Sequence, residues 1–347
     1  MAQQILITGG AGVLGSALAT TLAARGDLVS TLDVRPWAQA PAGVRHTVGD
    51  IRDGALLDRL TAGADAIVHS ASALPSYPSG EIRSIVVDGT GSVLAAARRS
   101  GVGRVVYISS TSVYGLPTRL PTPEDYPRRP VDRYGAAKVE AELACERYRS
   151  AGLCVPVLRP KTFLGPGRLG LFAMLFEWAE DGHHFPVLGS GRALTQMCAT
   201  DDVVDAILAG LDLPEGTVND TYNVASAEFG SLRDDFQAVL DAAGHGRRVI
   251  SIPARPAVAV LRVLADLRLS PVYKRLAHKL LADSYVSIDK ARDRLAFQPR
   301  YSSREAILAA YGWWREQRTA APASRATGQA SNDRWRQGAL ALAKVFF

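Results

Sequence analysis

The sequence predicts an α/β protein built on a doubly wound parallel sheet, with a smaller C-terminal lobe suited to binding substrate. Three observations predict it. Short β-branched apolar runs alternate with helical patterns through the first half, as in parallel sheets covered on both faces. A glycine-punctuated turn, Gly9-Gly10-Ala11-Gly12-Val13-Leu14-Gly15, joins the first such run to the first helical pattern. After Pro160 the rhythm breaks into glycine- and proline-rich loops.

Taken in order, strands are predicted at 4–8, 28–34, 45–48, 66–70, 104–109 and 154–159. Between them, helices are expected at 13–25, 54–60, 82–99 and 134–151. This places a dinucleotide-binding domain of Rossmann type at 1–160, with segments near 190–225 returning to it. The lobe at 161–318 is expected to contain helices at 169–181, 201–211, 232–242, 258–267 and 303–318 and a strand at 221–224. Residues 319–333, rich in Ala, Ser, Thr, Gly and Gln, read as a flexible linker before a basic, aromatic-ended segment at 334–347.

With 347 residues, 47% of them hydrophobic, the chain can bury one large or two modest cores. No run approaches the roughly 20 apolar residues of a membrane span, and the first residues enter a strand pattern with no charged-then-apolar leader, so the expected location is the cytoplasm. Cys145, Cys154 and Cys198 have no metal-type pair spacing, so neither zinc nor a disulfide framework is expected. Half of the formal charge of +6 sits in the tail, where Arg325, Arg334, Arg336 and Lys344 face only Asp333. The other basic residues are scattered among acids, which argues against a nucleic-acid partner.

Glycines at 9, 12 and 15 allow a tight turn, close approach of a pyrophosphate, and close packing of helix on strand. The helix opening at Val13 and Leu14 then offers its N-terminus to phosphates. Asp33, an acid about twenty residues on, can accept both ribose hydroxyls and repel a 2′-phosphate, which favours NAD over NADP. Arg35 is close enough to receive a phosphate and pulls the other way. Asp50 and Ile51, after the third strand, either meet the adenine or cap the next helix.

Tyr134 and Lys138 stand four apart at the start of a helical segment and so share a face. A phenol works as acid or base near neutral pH when an ammonium stabilises its anion. Ser110 follows the fifth strand, at the sheet end where open α/β folds bind ligands. Taken alone, the Tyr/Lys pair also fits a solvated helix face.

The motifs TGGAGVLG at 8–15, DGTGSVLAAAR at 88–98, SSTSVYG at 109–115, YGAAK at 134–138, LRPKTFLGPG at 158–167, ATDDVVDAI at 199–207 and YNVAS at 222–226 resemble, in order, the extended short-chain dehydrogenase/reductases of the NAD-dependent epimerase/dehydratase group. The resemblance covers about residues 3–318. It implies that Ser110 orients a substrate oxygen, that Tyr134 exchanges its proton, and that Lys138 lowers the tyrosine pKa and holds the nicotinamide ribose. It further implies cofactor contacts from Ser70, Ala71, Ser109 and Pro160 and a homodimer formed through helices near 82–99 and 134–151.

Sugar-nucleotide dehydratases of the group carry an Asp-Glu pair where this chain has Thr111 and Ser112, so 4,6-dehydration is not expected. Thr162 and Thr195 stand where nucleotide-sugar members place an Asn and an Arg against the substrate diphosphate, and Val86 replaces an Asn on the cofactor side. Lys161, Arg168 and Arg192 can compensate or be ordinary loop charge. Candidate substrate contacts are Ser72, Thr111, Thr162 and Arg192.

Phe172, Met174, Phe176 and Trp178 read as a core stripe or a pocket wall, and the apolar run 256–267 carries the same ambiguity. His183 and His184 lack a third metal ligand. The expected activity is NAD-dependent oxidation or reduction of a hydroxyl or ketone on a steroid-, lipid- or polyketide-like molecule. The alternatives are a nucleotide-sugar 4-epimerase and a catalytically silent NAD-binding sensor or scaffold. The segment 334–347 can rest on an anionic membrane or pack on protein.

Overall fold

The computed structural model describes residues 2–168, 172–259 and 281–320. The chain divides into two compact units: Met1–Lys161 with Thr200–Ala225 and Val286–Gln298, and Thr162–Ala199 with the described residues of Ser226–Tyr285 and those from Pro299 on.

In the first unit, seven parallel strands form one sheet. From one edge they are Arg45–Val48, Leu28–Asp33, Gln4–Thr8, Ala66–His69, Arg104–Ile108, Val157–Pro160 and Thr221–Val224. The chain builds outward from Gln4–Thr8 to Arg45–Val48 and then crosses back to Ala66–His69, so the order reverses at the first strand. Ligands bind at the carboxyl ends of strands beside such a reversal. The predicted fold class is the one observed.

The strands Ala66–His69 and Arg104–Ile108 are buried almost throughout, as expected for a sheet covered on both faces. One face packs Leu6, Leu32, Ile67 and Val105 against Val93, Leu94, Ala137 and Ala141 from two helices. Full burial of a side chain such as Leu94, 0% exposed, contributes about 1.5–3 kcal/mol, and truncation to Ala costs about 2–5 kcal/mol. Much of the apolar surface that the two helices were expected to offer a dimer partner is taken up by this core.

Local chemistry sets the helix ends. Val13–Arg25 stops at Gly26, whose φ of +94° is the left-handed cap that glycine adopts without strain. Asp53 accepts the Leu56 N–H at 3.0 Å and starts Gly54–Thr61. The single helix predicted at 82–99 is instead an α-turn at Ser79–Arg83, a π-turn at Ser84–Asp88 and an α-helix at Gly89–Arg99. The Gly89 N–H reaches back five residues to the Ser84 carbonyl, a bulge that hydrophobic periodicity does not reveal. Val86 is buried within this turn.

The second unit has a core of Phe176, Trp178, Phe185, Tyr311 and Trp314. The Trp178 and Phe185 rings meet edge-on at 5.5 Å. Phe176 and Trp178 are therefore core residues, with Phe172 and Met174 packed partly buried against them. Pairs of short strands, Thr162–Leu164 with Met197–Ala199 and Phe185–Leu188 with Val249–Ile252, and the contact of Gly230–Ser231 with Leu194–Thr195, are not predicted by the sequence pattern. The helix Ser303–Ala320 runs two residues into the expected linker. Residues 260–267 of one predicted helix and the tail segment 334–347 lie outside the described residues. Among the described residues, no helix is long and apolar enough to cross a membrane.

Candidate active site

The glycine turn is built from positions where a side chain has no room. Gly9 has a φ of +76°, and a Cβ there would lie 2.7 Å from the Ala71 nitrogen. A Cβ on Gly15 would lie 2.2 Å from the Gly9 carbonyl oxygen, and one on Gly12 would lie 3.1 Å from it. The first turn of Val13–Arg25, with Val13 and Leu14, has neither a side-chain cap nor an acidic residue. An uncapped helix N-terminus behind a cradle that a Cβ would fill fits a pyrophosphate.

Asp33, 8% exposed, ends the second strand. Its carboxylate accepts the Ala11 N–H at 3.1 Å and the Arg35 N–H at 3.0 Å, so it is held against the glycine turn. The Arg35 guanidinium is 3.5 Å from that carboxylate and donates to the Ala11 carbonyl at 3.1 Å. The two side chains predicted to pull cofactor choice in opposite directions are thus locked to each other and to the turn.

Asp50 does not cap the following helix; Asp53 does. The Asp50 carboxylate is bound instead by Arg52, whose hydrogen bond holds it below its ordinary pKa against burial. The Ile51 side chain is buried in the core, where a Cβ on Gly89 would lie 2.4 Å from its Cδ1. Ser70 Oγ donates to the Thr8 carbonyl at 2.8 Å, and the exposed Ser72 donates to the Ala73 carbonyl at 3.3 Å.

Ser110 follows the strand Arg104–Ile108 and caps a 3₁₀ turn at Thr111–Tyr114, its Oγ accepting the Ser112 N–H at 3.2 Å. Asp132 starts the helix Arg133–Ser150 by accepting the Gly135 N–H at 2.7 Å, which puts Tyr134 and Lys138 on consecutive turns. Tyr134 is half-buried. Lys138 is 2% exposed, and its Nζ donates to the Ile108 carbonyl at 2.8 Å. It lies 5.9 Å from the Tyr134 ring centroid and 4.9 Å from that of Tyr107. Burial draws the ammonium down to about 8, opposed chiefly by the Glu142 carboxylate. The solvated-face alternative for this pair does not fit a lysine so enclosed.

Pro160 ends the sixth strand opposite Val224. Ser109 Oγ turns inward and donates to Glu142 Oε1 at 2.5 Å, so any cofactor contact from Ser109 falls to its backbone. The substrate candidates do not all share a unit. Ser72 and Thr111 lie in the first, whereas Thr162 and Arg192, both exposed, lie in the second.

Sequence reading missed several buried polar residues around Lys138. His69, 1% exposed, bridges Thr8 Oγ1 at 2.7 Å and Thr90 Oγ1 at 3.0 Å and stacks on Tyr107. Burial and then Lys138 bring it down to about 3, so it is neutral. Glu142 and Arg159 form a buried ion pair. The sequence signal for Glu142 was its place four residues after Lys138; for Arg159 it was a charge inside an apolar strand pattern.

The chain matches the NAD dependent epimerase/dehydratase family over residues 5–225. It is 31% identical over 329 residues to a 3 beta-hydroxysteroid dehydrogenase/Delta 5-->4-isomerase of Mycobacterium tuberculosis, covering 88% of each chain. It is 30% identical over 327 residues to a 2-alkyl-3-oxoalkanoate reductase of Stenotrophomonas maltophilia, covering 88% of this chain and 97% of that one. The crystal structure of a dTDP-glucose 4,6-dehydratase from Streptomyces venezuelae, with NAD bound, superposes with a TM-score of 0.74 at 26% identity, over 91% of this chain and 98% of that one. The chain belongs to the NAD dependent epimerase/dehydratase family and is an enzyme of the extended short-chain dehydrogenase/reductase type.

Proposed function

We propose that the protein is an NAD-dependent oxidoreductase that acts on a hydroxyl or ketone carbon of a small molecule of steroid, lipid or polyketide character. The observation that carries this reading is the enclosed Lys138 ammonium, four residues after a half-buried Tyr134 and anchored at the strand end that leads into Ser110.

NAD, when bound, would supply the hydride acceptor or donor; Gly9, Gly12, Gly15 and the first helical turn would hold its pyrophosphate, and Asp33 would hold its adenosine ribose. In the oxidative direction the substrate hydroxyl loses its proton to Tyr134 Oη while the C–H electron pair departs with its hydrogen as hydride, leaving a ketone. Reduction runs the same transfers backwards. Lys138 stabilises the tyrosine anion by its charge. Ser110, whose Oγ accepts the Ser112 N–H, keeps its own hydroxyl hydrogen to donate to the reacting oxygen.

Thr111 and Ser112 leave the positions after Ser110 without the acid and base of water elimination, which weighs against 4,6-dehydration. The curated relatives, which include enzymes named for a hydroxysteroid and for an oxoalkanoate, weight the substrate towards apolar molecules. Native mass spectrometry of the purified protein, with UDP-sugars and separately with long-chain keto-lipids, tests the reading. Exchangeable NAD(H) and bound keto-lipid support it. Retained, non-exchanging NAD with a bound nucleotide sugar would overturn it in favour of 4-epimerisation.

A further inference from the structure

Tyr134, Lys138 and Glu142 recur at four-residue intervals and so lie along one face of the helix Arg133–Ser150. The first two are assigned to the chemistry. Glu142 is 1% exposed and points into the first unit. Its Oε1 accepts Ser109 Oγ at 2.5 Å and Arg159 Nε at 2.9 Å, and its Oε2 accepts Arg159 Nη2 at 2.7 Å and Arg128 Nη1 at 3.2 Å.

The network continues beyond the pair. Arg159 Nη1 donates to Tyr114 Oη at 2.7 Å and to the Glu124 carbonyl at 3.0 Å, and Tyr114 donates to Asn223 Oδ1 at 2.7 Å. Asn223 Nδ2 in turn donates to the carbonyls of Thr122 and Ser287, at 3.1 and 3.0 Å. Ser109 immediately precedes Ser110, and Tyr114 closes the turn that Ser110 caps. The pair therefore grips the Ser110 segment on both sides.

The charges around Lys138 give the pair a second consequence. Its own helix presents Tyr134, Glu142 and Cys145, the fifth strand presents Tyr107, and the fourth presents His69; Arg128 and Arg159 reach it only through Glu142. Burial holds the Cys145 thiol and the Tyr107 phenol far above their ordinary ranges, and His69 is neutral. Burial pushes Glu142 up, but Arg159, Ser109 and Arg128 outweigh it, so the carboxyl stays ionised and is the anion among these neighbours. A buried ion pair gains little stability over well-packed apolar residues, which makes a role in function the better account of this one.

We propose that the buried Glu142–Arg159 pair is the positioning device of this active site: it fixes the Ser110 turn through Ser109 and Tyr114, and its carboxylate supports the charge of the enclosed Lys138 ammonium. The consequence for catalysis rests on the reading of Ser110, Tyr134 and Lys138 above, so the test begins with a measurement that needs neither substrate nor cofactor.

The chain has six lysines, few enough for NMR titration of 13C-labelled lysine side chains, with Lys138→Ala assigning the signal. The wild-type midpoint is expected near 8. In Glu142→Gln it should fall by about one pH unit or more, because the anion is lost and Arg159 remains. In Glu142→Gln/Arg159→Gln, which leaves no uncompensated charge and serves if the single variant does not fold, it should fall by less. A folded variant whose Lys138 midpoint matches wild type would overturn the electrostatic half of the proposal.

Glu142→Asp keeps the charge on a shorter arm. It should leave the midpoint within roughly half a unit while lowering kcat for 3β-hydroxysteroid oxidation about tenfold, with KM little changed. A wild-type kcat in both Glu142→Asp and Glu142→Gln, alongside a Tyr134→Phe variant that has lost turnover, would sink the positioning role and leave the catalytic reading standing. An inactive wild type with the expected titrations would instead sink the catalytic reading and support the electrostatic half of the proposal.

Discussion

Lys138 Nζ donates to the main-chain carbonyl of Ile108 at 2.8 Å, two residues before Ser110, so this hydrogen bond ties the helix that carries Tyr134 to the strand end that leads into the serine. The relationship fixes where the ammonium sits. Its burial, 2% exposed, fixes how readily it gives up its proton.

The pH dependence of ketone reduction follows from that lysine. Burial draws Lys138 down to about 8 against the pull of the Glu142 carboxylate, so the group is charged below that pH and neutral above it. Reduction requires the protonated tyrosine beside the charged lysine and should fall as pH rises through about 8. A rate that holds to about pH 10, the ordinary lysine range, would contradict this assignment.

The glycine turn should tolerate no side chain. Gly15→Ala would drive a Cβ towards the Gly9 carbonyl, and Gly9→Ala would force a φ of +76° on an alanine. Each should cost about 1–3 kcal/mol of stability and about tenfold or more in NAD affinity, measured by thermal melting and calorimetry. Gly91→Ala, in the helix Gly89–Arg99 with nothing within 4 Å of the new Cβ, should instead stabilise by up to about 1 kcal/mol. Equal effects at the three positions would show that the turn is not the constrained element.

Cofactor choice should depend on Asp33. Replacing it with Asn removes the charge that repels a 2′-phosphate and loosens Arg35, which lies 3.5 Å from the carboxylate. NAD binding should weaken about tenfold while NADP binding improves, shifting the ratio of their dissociation constants. An unchanged ratio would place discrimination elsewhere.

In the second unit, Asp235 is 1% exposed, and its Oδ2 has no hydrogen-bond partner among the described residues. Burial raises this carboxyl to about 6; Arg304 opposes the rise and Asp234 adds to it. Between the unfolded carboxyl value near 4 and the folded value, the native state binds the extra proton, so stability is lost as pH rises through that window. Asp235→Asn should raise the stability at pH 7 by an amount on the order of 1 kcal/mol after allowance for screening, read as a higher melting temperature, and the gain should vanish near pH 4. A loss at pH 7 would mean that the carboxylate is satisfied there.

The sequence made the sheet legible because its signals are local. The strand Gln4–Thr8, the turn Gly9 to Gly15 and the helix Val13–Arg25 each announce themselves within a few residues, and they lie where periodicity and glycine spacing put them. Tyr134 and Lys138 were legible because a helix brings residues four apart onto one face. Glu142 and Arg159 were not, because their partnership joins a helix to a strand 17 residues on and exists only once the sheet has formed. Nor were the two- and three-residue strands of the second unit, which are too short to show alternation. Ser70 and Ser109 stand at cofactor-contact positions of the motif pattern, but neighbouring backbone and Glu142 claim their hydroxyls, a pairing that motif spacing does not show.

The measurement closest to the central claim is single-turnover hydride transfer by Tyr134→Phe beside the wild type, with 3β-hydroxysteroid and long-chain keto substrates and with NAD affinity measured on the same samples. Loss of the phenolic oxygen should lower the rate by about a hundredfold or more and leave NAD binding within roughly threefold. Turnover at the wild-type rate in a protein that still binds NAD would show that the proton moves by another group.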